Sequence, residues 1–130
     1  MAGVSDRRDT AYATAILHEI ADLLGQLAAE GRGGAIDLRA MPLGPEDRSR
    51  LEQVLAEGAV KASIDAGGPS EIFETVYPGV WWARHRNEAG DTVAEFIEVT
   101  DCPQFLRSQA EDIRDGCAGL RRLLDTSHPQ

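Results

Sequence analysis

The sequence predicts an α+β fold: an antiparallel sheet of about four to five strands with N- and C-terminal helices packed on it. Three features predict it. Apolar residues recur at helical spacing near both ends of the chain but alternate singly between residues 60 and 99. The alternating segments are joined by turns too short for parallel crossovers, so they must pair antiparallel. Finally, 130 residues with 42% apolar side chains can form one core without a disulfide or metal staple. A single domain over residues 1–130 is therefore expected, with the polar residues 1–9 loose.

The first helix runs from Thr10 to about Glu30, because Tyr12, Ile16, Ile20, Leu23, Leu24 and Leu27 step by threes and fours along one face. Asp9 or Thr10 can cap it, and Gly31-Arg32-Gly33-Gly34 ends it. That glycine cluster lacks the Lys-Ser/Thr of a phosphate loop and precedes a strand, so it reads as a helix stop. Ala35 to Leu38 is a short strand. Pro45 suits a first helical position, with Glu46 and Asp47 at the positive end of the dipole and Leu51, Val54 and Leu55 turned inward. Four strands follow: Val60–Asp65, Glu71–Tyr77, Val80–Arg86 and about Thr92–Val99. Gly67-Gly68-Pro69, Pro78-Gly79 and Asn87 to Gly90 turn the chain between them. Cys102-Pro103 opens the last helix, whose stripe of Leu106, Ala110, Ile113, Cys117, Leu120 and Leu124 is the most regular in the chain. Gly116 and Gly119 weaken its middle.

Composition excludes several classes of function. The net charge is −9 and Lys61 is the only lysine, so neither nucleic acid nor an anionic membrane surface finds a basic patch here. No stretch has the length of a membrane span, Arg7-Arg8 is not followed by an apolar signal segment, and the expected compartment is the cytoplasm. Cys102 and Cys117 match no metal or haem spacing, and no metal or cofactor is expected. Cys117 falls on the apolar stripe as a core residue, whereas Cys102 sits at a helix start where a thiolate gains from the dipole.

No catalytic residues are assigned. His18, His85 and His128 accompany no nucleophile turn, and His128 lies in the tail. The least improbable enzyme site is Arg84, His85 and Arg86 with the strand carboxylates, although pairing of Glu71, Glu74, Glu95 and Glu98 with Arg84 and Arg86 explains those acids more simply. Partner binding fits the residues better. The run Tyr77-Pro78-Gly79-Val80-Trp81-Trp82 places adjacent indoles on opposite faces of a strand. An outward tryptophan beside Tyr77, Arg84 and Arg86 has the composition of a binding hot spot. Because Arg84 and Arg86 share a side with Trp82, Trp81 is expected inward and Trp82 outward.

Residues 43–112 resemble the C-terminal conserved domain of the HupH/HyaF family, accessory proteins for the maturation of nickel–iron hydrogenases. The resemblance runs through Leu43-Gly44-Pro45-Glu46-Asp47, Leu55-Ala56-Glu57-Gly58-Ala59-Val60, Gly68-Pro69-Ser70 and Glu74-Thr75. It continues in Gly79-Val80-Trp81-Trp82 with Arg84 and in Glu95-Phe96-Ile97-Glu98-Val99, then Pro103. It implies a non-enzymatic cytoplasmic chaperone that binds a hydrogenase subunit precursor or another maturation factor. Typical members are considerably longer, which leaves the client open. A self-associating module, such as a homodimer joined through the last helix or a sheet edge, is the alternative.

Overall fold

The computed structural model describes residues 10–65 and 67–126. The looseness expected of residues 1–9, the Arg7-Arg8 pair, an Asp9 cap and His128 all lie outside them. The elements run α1 (Ala11–Glu30), β1 (Gly34–Asp37), a 3-10 turn (Leu38–Ala40), α2 (Pro45–Leu55), β2 (Lys61–Asp65), β3 (Pro69–Glu74), β4 (Val80–Arg86), β5 (Thr92–Val99), a second 3-10 turn (Gln104–Leu106) and α3 (Ala110–Thr126). The strands form one antiparallel sheet in the order β1-β5-β4-β3-β2, so the α+β expectation holds. The short β1 comes from the segment between the first two helices and closes the sheet beside β5.

Helices α1 and α2 cover one face. There Ile16 and Ile20 of α1 and Leu51 and Leu55 of α2 meet Ile36, Val80, Trp82, Ile97 and Val99. Helix α1 buries Ala13, Ile16 and Ile20, while Tyr12, expected on its stripe, is exposed. Thr10 makes no side-chain cap bond to α1. The buried Asp47 of α2 does that work, accepting the Ala13 backbone N–H at 3.0 Å. An acid expected to stabilise its own helix instead satisfies an orphan donor of its neighbour and fixes how the two helices pack. Gly31 closes α1 in the left-handed conformation, its N–H bonding the Leu27 carbonyl.

The opposite face carries a smaller cluster, Ile72, Trp81 and Ala83 with Ala62, Phe96 and Leu106 packed on it. Among the described residues no α-helix lies there. The cover is the chain from Thr100 to Leu106, held by a bond from the Trp81 indole N–H to the Thr100 carbonyl at 3.2 Å.

Two expectations about the C-terminal end are corrected. The last helix begins at Ala110, not near Pro103, because Pro103 to Leu106 forms the 3-10 turn that lies on the sheet. More important, α3 does not pack its stripe: none of its residues is buried, and Ile113 and Leu120 are 58% and 59% exposed. Cys117 is likewise exposed and not a core residue, and Cys102 is part-buried in a loop with no helix dipole beneath it.

Candidate functional site

The residues expected to form one binding patch are distributed over three places, because neighbours on a strand face opposite ways and Tyr77 lies beyond the strand end. Trp82 points toward the helices, stacks with Phe73 at 6.0 Å between ring centroids and is 2% exposed. Trp81 points to the other face and is 6% exposed. Trp82 is therefore the inner tryptophan of the main core, which reverses the expected orientation, and neither indole stands open to solvent.

The reason lies in Arg84. Its charge suggested a wet face, but its guanidinium is neutralised within the helix-covered side. Glu95, directly opposite on β5, accepts from Arg84 Nε at 2.9 Å and from the Trp82 indole N–H at 2.9 Å. Arg48 of α2 completes a fork on the same carboxylate, Nη1 to Oε2 at 3.1 Å and Nη2 to Oε1 at 2.7 Å. Glu95 is 2% exposed, and burial by itself would raise its pKa. The hydrogen bonds from Arg48, Trp82 and Arg84, with the charge of Arg48, outweigh burial and hold it at about 2. The bond to Glu95 raises Arg48 in turn. A carboxylate ionised at neutral pH with both oxygens occupied has no proton to give there and no lone pair facing a substrate. This cluster ties α2 to the sheet. Arg48 was not singled out in the sequence, where only its place one turn into α2, 47 residues before Glu95, could have signalled it.

Arg86 approaches Glu71 at 3.9 Å, so part of the expected cross-strand pairing forms. His85 faces away from Arg84, which disperses the Arg84–His85–Arg86 cluster considered for catalysis. Its Nδ1 lies 2.8 Å from the Ser70 hydroxyl, and its ring packs 4.8 Å from Phe105 and 5.7 Å from Phe96. Ser70 is buried, and Nε2 of His85 is buried without a hydrogen-bond partner. A serine activated for attack needs an accessible hydroxyl and a group orienting its base, and this contact offers neither. Among the described residues no three of His, Cys, Asp and Glu gather to hold a metal ion, and no helix is long and apolar enough to cross a membrane.

Exposed apolar surface is where the chain is open. Tyr77 sits in the β3–β4 turn, made tight by Gly79 at φ 91° and by the Thr75 hydroxyl accepting the Tyr77 N–H at 3.2 Å. Half-exposed, it forms one wall of a groove of about 220 Å³ whose other walls are Leu17, Ile20 and Leu24 of α1 and Val54 and Leu55 of α2. Only Tyr77 of the five expected binding residues reaches it. The second open surface is the stripe of α3, where Ile113 and Leu120 stand exposed.

Comparison with known proteins gives one answer. The profile of the HupH hydrogenase expression protein, C-terminal conserved region, matches residues 10–127. The hydrogenase expression/formation protein HoxQ of Azotobacter vinelandii is 34% identical over 89 residues, covering 68% of this chain and 31% of its own length. The hydrogenase expression/formation protein HupH of Rhodobacter capsulatus is 32% identical over 108 residues, 82% of this chain and 39% of its own length. The chain thus spans only about a third of these curated relatives. A solved structure, the hydrogenase expression protein HupH from Thiobacillus denitrificans, superposes with a TM-score of 0.83 at 38% identity, covering 89% of this chain and 98% of that one.

Proposed function

This chain belongs to the family of the HupH hydrogenase expression protein, C-terminal conserved region, and on that premise we propose that it is a non-catalytic accessory protein in nickel–iron hydrogenase maturation. It binds a hydrogenase subunit precursor or another maturation factor, in the cytoplasm, and needs no cofactor to do so. Its relatives named as hydrogenase expression/formation proteins support the process. The observation that carries the mode of action is the division of labour among side chains. The strongest ionisable cluster is consumed internally at Glu95, while the apolar groove beside Tyr77 stays open.

A half-exposed tyrosine beside an aliphatic groove suits an apolar segment of a client, with the ring burying area and the hydroxyl staying wet. The net charge of −9 favours a client segment with basic flanks. Trp82 and Arg84 hold the frame and do not touch the client. Arg86, half-exposed at the far end of β4, is not part of this contact.

The test is genetic and biochemical together. Deleting the gene from its host should abolish most hydrogenase activity and leave unassembled subunit precursor, and the wild-type gene should restore it. Purified precursor should bind the wild-type chain, and Tyr77→Ala should weaken that binding roughly tenfold or more without changing the melting curve. Full hydrogenase activity in the deletion strain would overturn the role. Equal binding by Tyr77→Ala would overturn the groove.

A further inference from the structure

The outer side of β2 is an open strand edge, and we propose that two copies of this chain join there, β2 beside β2 in an antiparallel register centred on Ser63. The pairing fuses the two sheets into one. The inference is independent of the hydrogenase role and uses neither the Tyr77 groove nor α3.

Backbone geometry is the first argument. Strand β2 ends the sheet and pairs only with β3 among the described residues. The Val60 carbonyl accepts the Glu74 N–H at 2.9 Å, which fixes the phase of the ladder. Bonding residues alternate along an antiparallel pair, so Ala62 and Ile64 bond toward β3. Lys61, Ser63 and Asp65 therefore direct N–H and C=O away from it, and all three residues are exposed. A row of unused donors and acceptors is a template for another strand. With Ser63 opposite the partner's Ser63, Lys61 faces the partner's Asp65 and Asp65 faces the partner's Lys61. All three are positions at which an antiparallel pair exchanges two bonds.

The side chains select the occupant. Lys61, Ser63 and Asp65 share one face of β2, so this register brings a lysine and an aspartate together twice. Lys61 is the only lysine in the chain. Within its own copy it has only Glu57, at 4.0 Å and well exposed, and the Asp65 carboxylate has no partner among the described residues. An edge lysine ordinarily repels an incoming strand, but here it meets the opposite charge. On the other face Ala62 meets the partner's Ile64 at a non-bonded position, where side chains approach most closely. Ala62 already packs on the cluster of Ile72, Trp81 and Ala83, so the apolar layers of the two copies become continuous. Sliding either copy by two residues loses both charge pairs.

The opposite edge has no such match. Two-fold pairing of β1 sets Gly34 against Asp37, whose carboxylate already accepts the Arg39 N–H. Pairing β1 of one copy with β2 of the next is head-to-tail and does not close, whereas β2 with β2 does. Size then sets the strength. Five residues span about 17 Å, which keeps the buried area below the roughly 1,000 Å² of a stable interface. The net charge of −9 on each copy also opposes association. The result is a weak, reversible dimer.

The experiment is sedimentation equilibrium of the full chain at physiological salt, from about 10 µM to about 1 mM, the range suited to so small an interface. The wild type should pass from monomer toward dimer. Lys61→Glu and Asp65→Lys each set like charges opposite one another twice and should each weaken association about tenfold. An equal mixture of the two should dimerise again, because both pairs are then complementary. So should the double variant, which exchanges the charges and leaves the net charge unchanged. Ser63→Pro removes an N–H that β3 does not use, so it should abolish the dimer while tryptophan fluorescence stays that of the wild type. Amide exchange should slow with concentration at Lys61, Ser63 and Asp65 but not at Ala62 and Ile64. A wild type that is monomeric at 1 mM would overturn the proposal. A dimer unaffected by the single charge variants, or a mixture that stays monomeric, would do the same. Loss of precursor binding by Ser63→Pro, in a chain monomeric throughout, would give the edge to a client strand instead.

Discussion

Glu95 is the residue on which most of the local structure converges, and its charge makes stability depend on pH. Its carboxyl titrates at about 2 in the folded chain against an ordinary 4.5. A carboxyl depressed on folding adds stability that is complete above its unfolded value and disappears as pH falls through its folded one. The difference corresponds to about 3 kcal/mol. Wild-type stability in urea should therefore fall between pH 5 and pH 2, and Glu95→Gln, already short of that contribution at pH 7, should show a flatter profile. Glu98 works in the opposite sense. Burial raises it, so its charged form costs stability, and Glu98→Gln should raise the melting temperature at pH 7. Trp82→Ala empties the core beneath both helices and should cost about 3–5 kcal/mol, measured by the urea midpoint. At this scale the sequence was partly legible. That adjacent indoles split between faces followed from strand geometry, but which one faced the helices did not. Arg84 looked like a mark of solvent because its cancellation needs Glu95 from the next strand and Arg48 from a helix, and long-range pairs leave no trace in local alternation.

Among the elements, the sheet and the first two helices were legible because period and turn chemistry are local. Gly68 shows how firmly. At φ 142° it packs so close to the Arg86 carbonyl that a Cβ would lie 2.2 Å from that oxygen, so Gly68→Ala should destabilise the chain strongly in a thermal melt. What the sequence could not express was whether α3 has a surface to rest on. An amphipathic stripe states that a helix has a partner, not which molecule supplies it. An isolated helix of this length with two central glycines is marginal in water. Gly116 has open space where a side chain would go, so Gly116→Ala should stabilise α3 by about 1 kcal/mol. Circular dichroism on dilute protein should then show more helix, with tryptophan fluorescence unchanged. The same reasoning explains Pro103 to Leu106. The proline promised a helix start, but Leu106 gains more by lying on the Trp81 cluster than by extending α3.

For the whole molecule, the decisive question is whether the chain unfolds as one unit. Its tryptophans both report on the sheet, Trp82 beneath the helices and Trp81 on the other face. Its helical signal comes from elsewhere as well: α3 supplies 17 helical residues beside 20 in α1 and 11 in α2. Two-state unfolding requires every probe to change together. No residue of α3 is buried among the described residues, so about a third of the helical ellipticity should disappear at low urea while fluorescence holds steady, and the remainder should then be lost together with fluorescence. Coincident curves for the wild type would mean that α3 is held by the rest of the chain and that the whole fold is one cooperative unit.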